Sequence, residues 1–246
     1  MFLEMYDIEP FKAFFDLIFD STDIIEFKLN EYGLNMSLLN NAHICFYEAN
    51  FDKDFFNEYE VEGAESVLVH VDDFYKVLKN TVKSDVLSLE TSDSFLICKF
   101  EHDGNRRVFE LPLAEDYGDS PVPPSIDYDT SFQLDLSELK QPCVDLDKIV
   151  KTDRFKMVTG GNSLSIVAPA DSQTRYVNTI VVDGECKDHT CAVNLNYILQ
   201  ILKLSKINKV VEFKVGNDMP LTWSISSVDD TVLIKGLIAP VIEEEA

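Results

Sequence analysis

Histidines, cysteines, paired carboxylates and lysines are the side chains through which this 246-residue chain could do chemistry, and their spacing narrows the choice. The four histidines, His43, His70, His102 and His189, are scattered and lack partners at metal-ligand spacing. None of the five cysteines, Cys45, Cys98, Cys143, Cys186 and Cys191, forms a C-x-x-C pair, so reduced thiols are expected rather than a zinc site or a disulfide framework. Acidic neighbours such as Asp72 with Asp73 and Asp229 with Asp230 carry little information among 44 Asp and Glu residues, and helix-start or turn roles account for them. No phosphate-binding GxxxxGK(S/T) loop, GxSxG elbow, HExxH pair or dinucleotide fingerprint occurs. Binding is favoured over catalysis, with no metal or cofactor implied, and an enzyme would need a site assembled from distant residues.

The lysines are more informative. In "FYKVLKNTVKSD", residues 74 to 85, the spacing predicts a helix over about 72 to 83 with Lys76, Lys79 and Lys83 on one face. Phe74, Val77 and Leu78 point to another face. A later stretch repeats the arrangement, with Lys203 and Lys206 opposite Ile198, Ile201 and Leu202. One such helix reads as a solvated face; its recurrence in both halves of a chain of formal charge −23 favours a surface facing phosphates. That net charge excludes non-specific nucleic-acid binding by the whole surface, so any such contact is local. Two further predicted helices are weaker: about 9 to 20 offers Lys12 beside Asp16 and Asp20, and about 137 to 150 offers Lys140 followed by Pro142, which is expected to disturb its first turns.

Between these helices the chain alternates apolar and polar residues with period two, as in "IIEFKLNEYGLNMSL", "DVLSLETSDSFLICKF", "RRVFELPL", "YVNTIVV" and "VVEFKVGNDMPLTWSI". Such runs read as antiparallel strands with one buried face, and few helices among many strands indicate an α+β fold. The segment "AEDYGDSPVPPSIDYD" breaks the pattern near the midpoint, where three prolines and five acids in sixteen residues read as a linker. The flanking halves repeat each other. Val69, Val71, Phe74, Val77, Leu78, Val86 and Leu89 match Val193, Leu195, Ile198, Ile201, Leu202, Val210 and Phe213 at a constant offset of 124 (202 minus 78), and Lys79 falls on Lys203. Ile25, Phe27, Leu34 and Met36 sit 130 residues before Phe155, Met157, Leu164 and Ile166 (155 minus 25). Two copies of one domain account for this register. An apolar content of 46%, no apolar run of about 18 residues and an acidic N-terminal stretch predict an ordinary intracellular globular protein with no membrane association.

With "NNAHI" at 40 to 44, "FYKVLK" at 74 to 79, "DMPL" at 218 to 221 and "LIAP" at 237 to 240 in register with this duplication, the chain resembles the proliferating cell nuclear antigen family of sliding DNA clamps, its archaeal branch most. The resemblance spans essentially the whole length. It implies two similar clamp domains, 1–113 and 129–246, joined by a connector at 114–128, each with antiparallel sheets and two helices, and a pseudo-six-fold ring closed by three chains. Lys76, Lys79 and Lys203 would face duplex DNA without reading its sequence, with Lys12, Lys83, Lys140 and Lys206 beside them. Leu39, His43, Val122, Pro123, Pro124, Pro220, Leu237, Ala239 and Pro240 match the pocket for short partner peptides of the PIP-box type. Arg107, Phe109 and Leu111 on one strand and Tyr176, Val177, Thr179 and Ile180 on another match the family's subunit interface. Implied partners are duplex DNA, two further copies of the chain as a homotrimer, DNA polymerase, a clamp loader, flap endonuclease and DNA ligase. The expected setting is cytoplasmic and nucleoid-associated, or nuclear in a eukaryote. Gly236 and Leu237 stand where many relatives carry aromatics, and Val144 stands where a basic residue is often found. The alternatives are a subunit of a heterotrimeric or damage-signalling clamp, or an acidic DNA mimic.

Overall fold

The fold is given by a computed structural model that describes residues 1–115 and 121–241. The connector's residues 116–120 and the terminal glutamates 243–245 lie outside them. The chain forms two compact units. One takes Met1–Val122 with Ser226–Ile234, and the other takes Pro123–Ile225 with the stretch from Lys235 onward.

In the first unit the order is β1 (Phe2–Met5), α1 (Glu9–Ile18), β2 (Ile24–Asn30), β3 (Gly33–Leu39), β4 (Cys45–Asp52), a 3-10 turn (Lys53–Phe55), β5 (Glu58–Glu60), β6 (Glu65–His70), α2 (Val71–Lys79), β7 (Val86–Thr91), β8 (Phe95–His102) and β9 (Asn105–Pro112). Two antiparallel arrays result, β5-β1-β7-β8-β9 and β4-β3-β2-β6. Strict alternation puts Ile25, Phe27 and Leu29 of β2 and Leu34, Met36 and Leu38 of β3 in the core while their neighbours face outward. The β2–β3 turn requires glycine: Gly33 sits at φ +146°, and a Cβ there would lie 2.1 Å from the Phe51 carbonyl oxygen.

Both helices of this unit pack on the β2–β4 array through phenylalanine. Pro10 enters α1 in its first turn, where its missing N–H costs no helical bond. Phe11 then meets Phe27, Phe51 and Phe74 at ring separations of 6.1, 5.1 and 5.9 Å, and Phe74 of α2 meets Phe15 at 4.9 Å. Edge-on pairs of this kind each add about 0.5–1.5 kcal/mol beyond the area they bury.

In the second unit the order is β10 (Thr130–Asp135), α3 (Leu136–Asp145), a π turn (Leu146–Val150), β11 (Arg154–Val167), β12 (Val177–Asn194), α4 (Leu195–Ile201), a 3-10 turn (Leu202–Lys206), β13 (Val210–Val215), β14 (Leu221–Ser226) and β15 (Val232–Ile238). Strand order here is β11-β12-β10-β13-β14. Asp135 caps α3 by accepting from Ser137 N (2.8 Å), and Asn194 caps α4 by accepting from Asn196 N (2.9 Å). Fully buried Trp223 lies against Gly236, where a Cβ would approach the indole to 2.6 Å.

The two units carry one plan. α2 and α4 begin 124 residues apart (195 minus 71), and β7 and β13 begin and end 124 apart (210 minus 86, 215 minus 91). Both α1 and α3 hold ten residues, and β2 and β11 begin 130 apart (154 minus 24).

Helix lengths differ from the sequence expectation in three places. α2 stops at Lys79, because Asn80 Nδ2 donates to the Lys76 carbonyl (2.7 Å) and the buried Asp85 carboxylate takes up Val82 N–H (2.8 Å). Lys83 therefore lies in a turn, outside the helix. α3 carries Pro142 inside it without breaking, and its irregularity falls later, in the π turn that Lys151 ends at φ +60°. α4 is short, and Lys203 and Lys206 lie on the 3-10 turn that continues it.

Candidate nucleic-acid and partner-binding surfaces

The basic side chains are carried on helices whose opposite faces are core. In α2, Val71, Phe74, Val77 and Leu78 are buried, while Lys76 and Lys79 are exposed in the last turn and Asp72 and Asp73 in the first. Acids at the N-terminus and bases at the C-terminus both suit the helix dipole. Lys76 is not an isolated cation: its ammonium reaches Asp72 at 3.0 Å and Asp73 at 3.4 Å. Hydrogen bonding to Asp72 first, then Asp73, holds its pKa above the usual lysine value. Lys79 instead stands 5.7 Å from the centre of the Tyr75 ring. Lys83 is exposed in its turn, and half-buried Lys12 of α1 donates to Thr81 Oγ1 (3.4 Å), one residue beyond the α2 cap. Lys12, Lys76 and Lys79 thus belong to the packed pair α1 and α2 of the first unit.

In the second unit Lys140 is exposed on α3, and Lys203 and Lys206 are exposed beyond α4. Leu204, between those two, is buried, so the 3-10 turn keeps its lysines on the solvent side. Val144 is exposed on α3 and contributes no charge.

Of the two strands expected at an interface, β9 ends its sheet, whereas β12 lies between β11 and β10. β9 pairs only with β8 among the described residues and exposes Val108 and Phe109. Leu111 is half-buried, and Phe109 packs on Phe100 at 5.9 Å. Arg107 turns inward: its guanidinium forms an ion pair with buried Asp85, donates to the Asn80 carbonyl (3.2 Å) and lies 5.1 Å from the Phe100 ring centre. In the second unit β12 pairs with β11 from Val177 to Asn194, with register shifts around Gly161, and meets β10 at one position, Gln133 opposite Asp183. Val177, Thr179 and Val181 point outward there and Ile180 inward. Tyr176 precedes the strand and donates its hydroxyl hydrogen to Asp145 (3.1 Å).

The candidate peptide-pocket residues divide between the units. Leu39 ends β3, and exposed His43 adopts φ +56° in the turn that Asn40 organises by accepting from Ile44 N (2.8 Å) and Cys45 N (2.9 Å). Val122, 89% exposed, completes the first unit's share. Pro123, Pro124, Pro220, Leu237, Ala239 and Pro240 belong to the second unit, the first two exposed and the others half-buried. There the connector's end is tied down: the Tyr128 hydroxyl donates to the Pro220 carbonyl (2.6 Å) and bonds Thr222 Oγ1 (2.8 Å). Asp129 accepts from Lys187 Nζ and bonds His189 Nε2, each at 2.7 Å, and these two partners pull its pKa down to about 2.

Sequence reasoning missed three groups that set these surfaces: Asp72 and Asp73 beside Lys76, Asp85 beside Arg107, and Tyr128 with Asp129. The four-residue step from Asp72 to Lys76 was the readable signal. Asp85 and Arg107 are 22 residues apart and become partners only through the sheet. Among the described residues no three His, Cys, Asp or Glu side chains converge as metal ligands, and no helix is long and apolar enough to cross a membrane.

Comparison with known proteins agrees with this architecture. Residues 4–115 match the family model described as proliferating cell nuclear antigen, N-terminal domain. A DNA polymerase sliding clamp from Methanothermobacter thermautotrophicus is 28% identical over 249 residues, covering 98% of each chain. One from Thermococcus onnurineus is 28% identical over 244 residues, covering 95% of this chain and 96% of that one. Among solved structures, the PCNA2-PCNA3 complex from Sulfolobus tokodaii superposes with a TM-score of 0.88 at 21% identity, covering 99% of this chain and 100% of that one. The Entamoeba histolytica proliferating cellular nuclear antigen gives 0.87 at 16%, covering 98% of each. Residues 4–115 thus match the family's N-terminal domain, and over nearly its whole length the chain is similar to archaeal DNA polymerase sliding clamps and shares the fold of these solved structures.

Proposed function

We propose that this chain is a DNA polymerase sliding clamp: a ring of three copies that encircles duplex DNA, performs no chemistry, and tethers replication and repair enzymes. The observation that carries the reading is the repeated placement of lysine on the solvent face of corresponding helical segments, Lys79 and Lys203 at an offset of 124, in a chain of formal charge −23. Three copies sum to −69 (3 times −23), so a duplex is repelled by most of the surface and tolerated only where lysines gather. Contacts to phosphates alone carry no sequence information, as sliding requires. The open edges of β9 and of the first half of β12 support ring closure, since a head-to-tail contact that closes removes edges that would otherwise invite aggregation.

In this reading Leu39, His43 and Val122 together with Pro123, Pro124, Pro220, Leu237, Ala239 and Pro240 take short peptide motifs of polymerase, clamp loader, flap endonuclease and ligase. Tethering raises a partner's effective concentration at DNA, so weak peptide binding suffices. Gly236 faces the buried Trp223 ring, so of the two departures only half-buried Leu237 favours anchors suited to a shallower pocket. The chain acts wherever the chromosome is.

Light scattering on the purified protein tests the assembly. A mass near 84 kDa (3 times 27.9 kDa) across concentration and salt supports the self-closing ring. A monomer at every condition rejects it and favours a second reading, a subunit that closes only with sister chains, which the two-protein complex among the similar structures makes specific.

A further inference from the structure

The first unit carries a groove that none of the surfaces above uses. It encloses about 260 Å³ between the β2–β3 turn, the end of β4 and the turn before β15, and it is lined in part by Tyr32, Asn35, Asn50, Asp52 and Asp230. No lysine, arginine or histidine lines it. We propose that this groove receives one cationic side chain, an arginine or lysine presented by a partner protein, as a contact separate from the peptide pocket.

Charge and hydrogen-bonding capacity both select such a ligand. The lining holds two carboxylates and an exposed tyrosine ring, a combination that attracts an ammonium or guanidinium through its charge and through the aromatic face. Its amides turn their donors inward: Asn35 Nδ2 donates to Asn50 Oδ1 (2.7 Å) and Glu48 (3.4 Å), and Asn50 Nδ2 donates to Glu48 (2.8 Å). A ligand that brings donors and positive charge therefore meets acceptors. The size agrees, since sites for drug-sized molecules enclose roughly 300–1,000 Å³ and this one fits a single long side chain.

The groove is also held in shape before any ligand arrives. Asn30 Oδ1 accepts from Tyr32 N (2.8 Å), and the Tyr32 carbonyl accepts from Lys53 N (2.9 Å). Asp52 N donates to the Thr231 carbonyl (2.8 Å), which ties the far rim to β4. That rim is fixed by Asp229, which accepts from Ser227 Oγ (2.6 Å), Thr231 Oγ1 (2.8 Å) and Thr231 N (3.2 Å). A pre-formed site loses little freedom when it binds.

The test leaves the fold in place. Asp52 caps the following 3-10 turn through Asp54 N, and Asp230 sits at φ +58°; asparagine fulfils both roles, so Asp52→Asn with Asp230→Asn removes charge alone. Acetyl-arginine-amide is titrated into the whole protein and followed by TROSY NMR, with acetyl-glutamine-amide as the neutral probe. The expected result is saturable shifts of the Gly33, Asn50 and Thr231 amides with the arginine probe only. Binding should weaken about five-fold or more in the double variant and several-fold from low to high salt. No saturable shift, equal response to the glutamine probe, or unchanged binding by the double variant overturns the proposal. None of these outcomes depends on whether the protein closes into a ring, because the groove lies wholly within one unit.

Discussion

Individual lysines in this protein are set apart by their acidic neighbours. Lys76 shares its charge with Asp72 and Asp73, whereas Lys79 stands over the Tyr75 ring and Lys203 is exposed at the corresponding place in the second unit. Replacing Lys79 and Lys203 with glutamate should therefore lower DNA-dependent stimulation of a polymerase while light scattering returns the unaltered mass; full stimulation would remove these lysines from the DNA surface. Asp72→Asn combined with Asp73→Asn should act in the opposite sense. It frees Lys76, and the slope of log affinity against log salt should steepen by about one for each additional phosphate that the lysine neutralises. Asp129 supplies a pH signature. Its folded pKa, about 2, lies below the ordinary 3.8 because Lys187 and then His189 bond the carboxylate. A depressed value stabilises the fold above the unfolded pKa and ceases to do so as pH falls from about 4 towards 2. The difference in Tm between wild type and Asp129→Asn should accordingly shrink between pH 6 and pH 2, and a constant difference would remove Asp129 from the acid response. The lysines were legible in the sequence, and so in principle was the Asp72 to Lys76 step. The Asp129 cluster was not, since it joins residues about sixty apart that meet only across strands.

Elements were legible where periodicity is strong and obscured where a few side chains decide an end. The alternating runs over β2, β3, β7, β8, β13 and β14 became strands at nearly the expected places, because one buried face fixes the register. α2 ends four residues before its apolar and basic pattern does, through Asn80 and Asp85, and a cap formed by a buried acid leaves no periodic trace. β12 extends to Asn194, far beyond "YVNTIVV", as a polar middle pairs with β11 across the shifts near Gly161. Pro142 lies inside α3 without ending it, and the irregularity comes only afterwards, in the π turn Leu146–Val150. Gly236 in β15 belongs to the same scale. An added Cβ would press on the Trp223 ring at 2.6–2.8 Å, so Gly236→Ala should cost about 1–3 kcal/mol by overpacking, read as a lowered urea midpoint. An unchanged midpoint would mean that the indole has room to move.

At the scale of the molecule, the duplication read from pairs of apolar residues at a constant separation has a counterpart in the elements: the offset of 124 reappears between α2 and α4 and between β7 and β13, and that of 130 between the starts of β2 and β11. An assembly of three chains is implied only by the resemblance, since nothing in a period-two pattern distinguishes an edge strand from an inner one. The single tryptophan brings a last consequence. Because Trp223 is the only one in the sequence and is buried in the second unit, its emission on unfolding reports that unit, while far-ultraviolet circular dichroism sums over both. Coincident denaturation curves by the two probes would mean that the duplicated units melt as one cooperative body; separated curves would date the loss of one before the other and turn a single indole into a measure of how strongly the copies depend on each other.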